Sequence, residues 1–213
     1  MNSSTGPASP VTRTLKIGIT GPIGCGKSTI LGWLAAGGAL VIDADRVTRE
    51  LMSPGSPVVA EIVAAFGPGV SGPDGSLDRA ALASIVFNDP DQLHRLESIT
   101  HPVVRARILE LIAQAESASV PIVALEAIRL VDGGYPSLLD EVWLITCDRG
   151  AQLARLAGRG LAPDDAAARI EAQATLVDEV QPVATRVIDT SGTLAETEAA
   201  VAAALSDALG HER

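Results

Sequence analysis

Leu15-Lys-Ile-Gly-Ile-Thr20-Gly21-Pro-Ile-Gly-Cys-Gly26-Lys27-Ser28 decides the fold. The first six residues are a β-branched apolar run, the next six form a glycine-rich turn, and from Lys27 apolar residues recur at helical spacing until Gly37 and Gly38. The turn satisfies GxxxxGK[ST] and lies between a strand and a helix, the context in which that pattern has a physical meaning. Glycines let the backbone curl so that N–H groups face an anion, and the helix N-terminus adds favourable dipole charge. Lys27 brings a mobile cation to the β- and γ-phosphates of a nucleoside triphosphate, and the Ser28 hydroxyl is placed to hold Mg²⁺.

Outward from this loop the chain reads as α/β. Residues 39–42 form a second strand delivering Asp43 and Asp45 at its carboxyl end, both on one side if the strand persists that far. Strand-like runs return at 120–125, Glu141–Thr146 and 185–188. Charged helical patterns cover 150–159 and 163–179, and an Ala-rich helix covers 194–209. The alternation predicts a parallel doubly wound sheet in a three-layer α/β/α arrangement. Residues 46–117 hold no buried strand and read as a helical insertion, with Gly67 ending one helix, Asp78 capping the next, and Pro102 separating two more.

Composition agrees. Of 213 residues, 47% are hydrophobic but only 2% aromatic, so the core is aliphatic, as in helix-covered parallel sheets. A net charge of −10 excludes nucleic-acid binding through a basic face. Cys25 and Cys147 lie far apart with no CxxC or Cys/His cluster, which supports neither a disulfide framework nor a zinc site and points to a reducing compartment. Residues 1–13, rich in Ser, Thr and Pro, read as a disordered tail without signal-peptide character. No apolar run is long enough to span a membrane. Cys25 itself sits where helix-end N–H groups lower a thiol pKa, so either a sensitive thiol or a small loop-filling side chain fits.

From Gly18 to Thr29, then Val41-Ile-Asp-Ala-Asp45 and Arg49, the sequence resembles the dephospho-coenzyme A kinases. Pro54 to Pro57, Phe66-Gly67, Asp74 to Arg79, Leu96-Glu97 with His101-Pro102, and Gln152, Arg155, Arg159, Arg169 and Gln173 extend the resemblance in order and spacing. It implies a P-loop kinase fold with a nucleotide-binding core (residues 14–45, 118–148 and 184–210), a CoA-binding helical insertion (46–117) and a lid (149–183). The implied reaction is transfer of the ATP γ-phosphoryl group to the ribose 3′-hydroxyl of dephospho-CoA, with Mg²⁺, in the cytoplasm. The partner is that small molecule rather than nucleic acid or membrane, and the chain is a monomer or weak homo-oligomer.

Residue by residue, the resemblance makes Asp45 the carboxylate that orients the hydroxyl and accepts its proton. Lys27, Arg155 and Arg159 serve the phosphates, the two arginines sharing a helix face. Nucleotide contacts fall to Thr20, Gly21, Ile23, Gly24, Cys25, Gly26, Lys27, Ser28 and Thr29, with Ser28 on the metal. Substrate-side positions are Asp43, Arg49, His101, Glu126 and Arg129. His101 is either a contact or a helix-boundary residue, and Asp43 either serves Mg²⁺ through water or caps the strand turn. Arg129 lies in Ile128 to Asp132, where the family has an apolar run. It either meets substrate phosphate or pairs with Glu126. Thr190 stands where Asn is common. The altered run keeps open a kinase for another small metabolite, and a nucleotide-binding regulator without turnover is the third reading.

Overall fold

The computed structural model describes residues 13–210 apart from Asn88. Five parallel strands, β1 (Leu15–Thr20), β2 (Leu40–Asp43), β3 (Ile122–Glu126), β4 (Glu141–Thr146) and β5 (Arg186–Asp189), form one sheet in the order β2-β3-β1-β4-β5. Order reverses at β1, so the loop after β1 opens at the switch point where ligands of such sheets bind.

The two faces follow the period of two along each strand. Ile17, Ile19, Ala124, Trp143 and Ile145 point to one face, covered by α1 (Lys27–Ala36) and the terminal α9 (Leu194–Gly210) through Ile30, Leu34, Val201 and Ala204. Val123, Leu125, Val142 and Leu144 point to the other, against α2 (Ala44–Leu51), α5 (Pro90–Ser117) and α8 (Leu176–Val180). Both layers are aliphatic apart from Trp143, Tyr135, the partly buried Trp33 and two cysteines, Cys25 and Cys147. The predicted three-layer α/β/α architecture is the one observed.

Helices α3 (Pro57–Phe66) and α4 (Arg79–Val86) build a separate small core from Val58, Val59, Ile62, Val70, Leu77 and Leu82. The predicted stops hold: Gly67 ends α3 at a φ of 91°, and the Asp78 carboxylate accepts from the N–H of Ala80 and Ala81. Pro102, however, does not divide the helix. It sits inside the 28-residue α5. The missing N–H costs about 3 kcal/mol in a helix interior. Burial of Thr100, Val104, Ile108, Ile112 and Ala115 along one stripe offsets it.

Two other expectations change. The helical pattern over 163–179 divides into α7 (Pro163–Glu171) and α8, leaving Gln173 in the break. Arg13 and Thr14 are anchored, Arg13 by an ion pair with Asp140 and Thr14 by a hydroxyl bond to Val120 O. The rest of the tail lies outside the described residues. No helix among the described residues is long and apolar enough to cross a membrane.

Gly21 marks the exit from β1. A Cβ there would stand 2.0 Å from Ile145 O, and its φ is +144°. Gly21→Ala is therefore expected to lose about 2–4 kcal/mol of stability. Gly32→Ala, in open space on α1, should gain up to about 1 kcal/mol. Paired thermal denaturation checks both, and a Gly21→Ala variant melting with the parent would contradict the packing at the strand exit.

Candidate active site

The loop after β1 wraps as its glycines permit, with Gly24 and Gly26 at φ of 81° and 86°, and Gly26 opens α1 in the left-handed region. A helix leaves its first N–H groups without intrahelical partners, and here those include Lys27 and Ser28. Ser28 and Thr29 are exposed at the mouth. The Lys27 ammonium curls back to donate to Gly21 O at 2.6 Å and Pro22 O at 3.1 Å. Burial pulls its pKa below the ordinary lysine value. Glu126 and Asp45 counter that effect, and Arg159 adds to it.

The carboxylates gather at the carboxyl edge of the sheet. Register sets Glu126 on β3 between Ile19 on β1 and Asp43 on β2. Burial raises the Glu126 pKa, Lys27 lowers it, and Asp43 and Asp45 raise it again. Asp43 caps α2 by accepting from the Arg46 N–H at 2.9 Å, and Arg49 pairs with it at 3.6 Å. The strand ends at Asp43, so strand alternation does not set Asp45. It occupies the first turn of α2, where helix geometry aims it into a cleft with Thr48, Thr100, His101, Arg129 and Tyr135.

Arg129 does not pair with Glu126. It pairs with Glu97 at 2.7 Å and Asp132 at 3.1 Å, because α5 brings Glu97 alongside while Glu126 faces Lys27. Thr20 is fully buried beneath the loop and donates to Ile128 O at 3.3 Å.

From the opposite side comes α6 (Arg149–Gly158), with Arg159 as its C-cap. Arg159 lines the small cleft that also holds Lys27, Ser28, Glu126 and Gln173. Arg155 is engaged with the loop's surroundings instead, donating to the Thr190 hydroxyl at 2.9 Å, to Thr190 O at 2.5 Å and to Gly24 O at 3.4 Å. Both arginines border a further cleft of roughly 520 Å³ with Gly26, Thr29, Thr190, Leu194 and Thr197.

Sequence reasoning missed the loop's supports. Gln152 donates to Ile23 O at 2.6 Å, and Gln173 accepts from the Ile23 N–H at 2.7 Å, so two side-chain amides clasp one residue of the loop. The Thr190 hydroxyl lies 2.9 Å from Cys25 O. Cys25 and Cys147 are joined by a disulfide, with Cα atoms 5.2 Å apart. This overturns the expectation of two separate thiols: β1 and β4 are neighbours, and each cysteine follows the carboxyl end of its strand.

A metal ion has suitable donors here. The Ser28 hydroxyl and the Glu126 and Asp43 carboxylates are hard oxygens of the type Mg²⁺ prefers. Among the described residues no group of three or more His, Cys, Asp or Glu forms a ready-made metal site.

A phosphate-wrapping loop at the switch point of a parallel sheet, with a lysine inside it and carboxylates opposite, defines a P-loop phosphotransferase. Residues 15–196 match the family described as dephospho-CoA kinase, and the chain belongs to that family. Over 197 residues it is 48% identical to the dephospho-CoA kinase of Symbiobacterium thermophilum, covering 92% of this chain and 82% of that one. The Moorella thermoacetica enzyme of the same name is 43% identical over 197 residues, 92% of each chain. Among solved structures, TT1252 from Thermus thermophilus superposes with a TM-score of 0.76 at 34% identity, over 92% of this chain and 98% of that one.

Proposed function

We propose that this protein transfers the γ-phosphoryl group of ATP to the 3′-hydroxyl of the ribose of dephospho-CoA, giving CoA and ADP in the cytoplasm. The observation that carries this reading is geometric. Lys27, Ser28, Glu126 and Arg159 line one cleft and Asp45 lines the next, the two sharing Ile128, so a triphosphate and an acceptor alcohol would meet between opposite charges.

Phosphoryl transfer needs positioning and charge stabilisation more than covalent chemistry. The loop amides and Lys27 bind the phosphates, and Arg159 adds positive charge from the lid side. Asp45 orients the acceptor hydroxyl and takes its proton. Ser28, with Glu126 and Asp43 nearby, would hold Mg²⁺, which supplies charge neutralisation between the β- and γ-phosphates. Residues 46–117 form the wall that receives the CoA moiety, with His101 beside Asp45, and residues 149–183 close over the nucleotide. Arg155, bound to Thr190, shapes the neighbouring cleft.

Purified protein incubated with Mg-ATP and dephospho-CoA should yield CoA, seen by mass as the gain of one phosphoryl group. Phosphorylation of another acceptor in its place would favour a different substrate, and nucleotide binding without turnover would favour a regulator.

A pH dependence follows from Glu126. Its carboxyl titrates above the ordinary range because burial disfavours the charge. Falling pH therefore protonates it earlier than an exposed glutamate, and kcat/KM should decline on the acid side. Glu126→Gln is expected to lower kcat/KM by about 10–100-fold at neutral pH and to flatten that acid limb. A variant profile superimposable on the parent's would take Glu126 out of the reaction.

A further inference from the structure

We infer that Cys25 and Cys147 form a reversible redox staple beneath the nucleotide-binding loop, one whose closure preorganises the loop for phosphate without obstructing it. The disulfide lies on the core side. Cys25 is wholly buried in the layer that holds Ile30, Ile145 and Ile188, while Ser28 and Thr29 face outward at the mouth. In the linked loop Gly24 and Gly26 are left-handed and the Thr190 hydroxyl donates to Cys25 O. Closing the bond thus fixes Cys25 covalently on a segment that Gln152 and Gln173 already hold at Ile23.

The exposure of the two residues orders the chemistry. Cys147 is partly exposed and Cys25 is not. The Cys147 thiolate attacks a low-molecular-weight disulfide, breaking its S–S bond and releasing one thiol. The Cys25 thiolate then attacks the Cys147 sulfur of the mixed disulfide and releases the second thiol. Two electrons and two protons pass from the protein to the two released thiols. With two cysteines in the chain, no third thiol competes within it. The bond closes a sequence separation of 122 residues, so the unfolded chain loses considerable freedom when it is present.

The effect on nucleotide affinity rests on the proposed ATP site; the staple itself does not. The test equilibrates the whole protein with oxidised glutathione or with dithiothreitol, and maps peptides after blocking free thiols. Oxidised protein should yield a Cys25–Cys147 linked peptide and no blockable thiol. On reduction, its melting temperature should fall by roughly 4–16 °C. Its ATP dissociation constant should rise by about two- to fivefold, as expected for lost preorganisation. Cys147→Ser should melt near the reduced parent and ignore the redox buffer. Two blockable thiols after oxidation would overturn the pairing. Equal ATP affinity in both states, or its abolition on oxidation, would overturn the preorganising role. A linked peptide with a shifted melting temperature but no ATP binding in either state would instead sink the proposed function.

Discussion

Asp45→Asn should reduce kcat by about 10²–10⁴-fold while leaving the ATP dissociation constant within about twofold of the parent. The asymmetry follows from placement. Asp45 stands on α2 in the cleft shared with Thr48, Thr100 and His101, the side proposed for the acceptor, whereas Lys27 and Ser28 of the loop line the neighbouring cleft. Asparagine keeps the size and one acceptor oxygen but cannot take a proton from the attacking hydroxyl. Folding should be preserved, because the cap of α2 is made by Asp43. Steady-state kinetics together with calorimetric ATP titration decides the matter, and a near-normal kcat would show that another group handles the hydroxyl.

Lys27→Ala should act on both binding and rate, lowering kcat/KM by about 10³–10⁵-fold. Its ammonium donates to Gly21 O and Pro22 O, which places it at the loop, within reach of phosphate oxygens that would compete for it. Exchange of carbonyl for phosphate oxygens is favourable because a partly desolvated cation gains a polyanion in a low-dielectric site. Alanine removes that gain and leaves Glu126 without its principal cationic neighbour, so the Glu126 carboxyl should titrate still higher. Lys27→Arg is not expected to rescue, since a planar fork does not fit the curl that a compact ammonium occupies. An alanine variant within tenfold of the parent in kcat/KM would remove Lys27 from the phosphate site.

The parts legible in the sequence were those set by local chemistry. The loop motif, the strand that feeds it and the helix that leaves it are fixed by adjacent residues, and each is where the pattern placed it. Apolar runs likewise located the remaining strands, because a buried parallel strand is apolar on both faces. Pro102 misled for an instructive reason: a local rule worth about 3 kcal/mol lost to a long buried stripe on α5. The amide clasp on Ile23 and the Cys25–Cys147 link were beyond reach for a different reason. Their partners lie 129, 150 and 122 positions away, and only strand order brings them together. Arg129 had visible charge but hidden company, since Glu97 meets it across two separate segments.

The unbroken α5 has a mechanical consequence. Its early part packs Leu96, Ile99 and Val103 into the small core of α3 and α4, and its later part packs Ile108 and Ile112 beneath the sheet. At 28 residues it is a beam of about 42 Å that links the small core of α3 and α4 to the central sheet. Bending at Pro102 would expose the stripe that keeps the beam straight. The proposed closure of residues 149–183 over the nucleotide would therefore work against a helix that is continuous from the small core to the sheet.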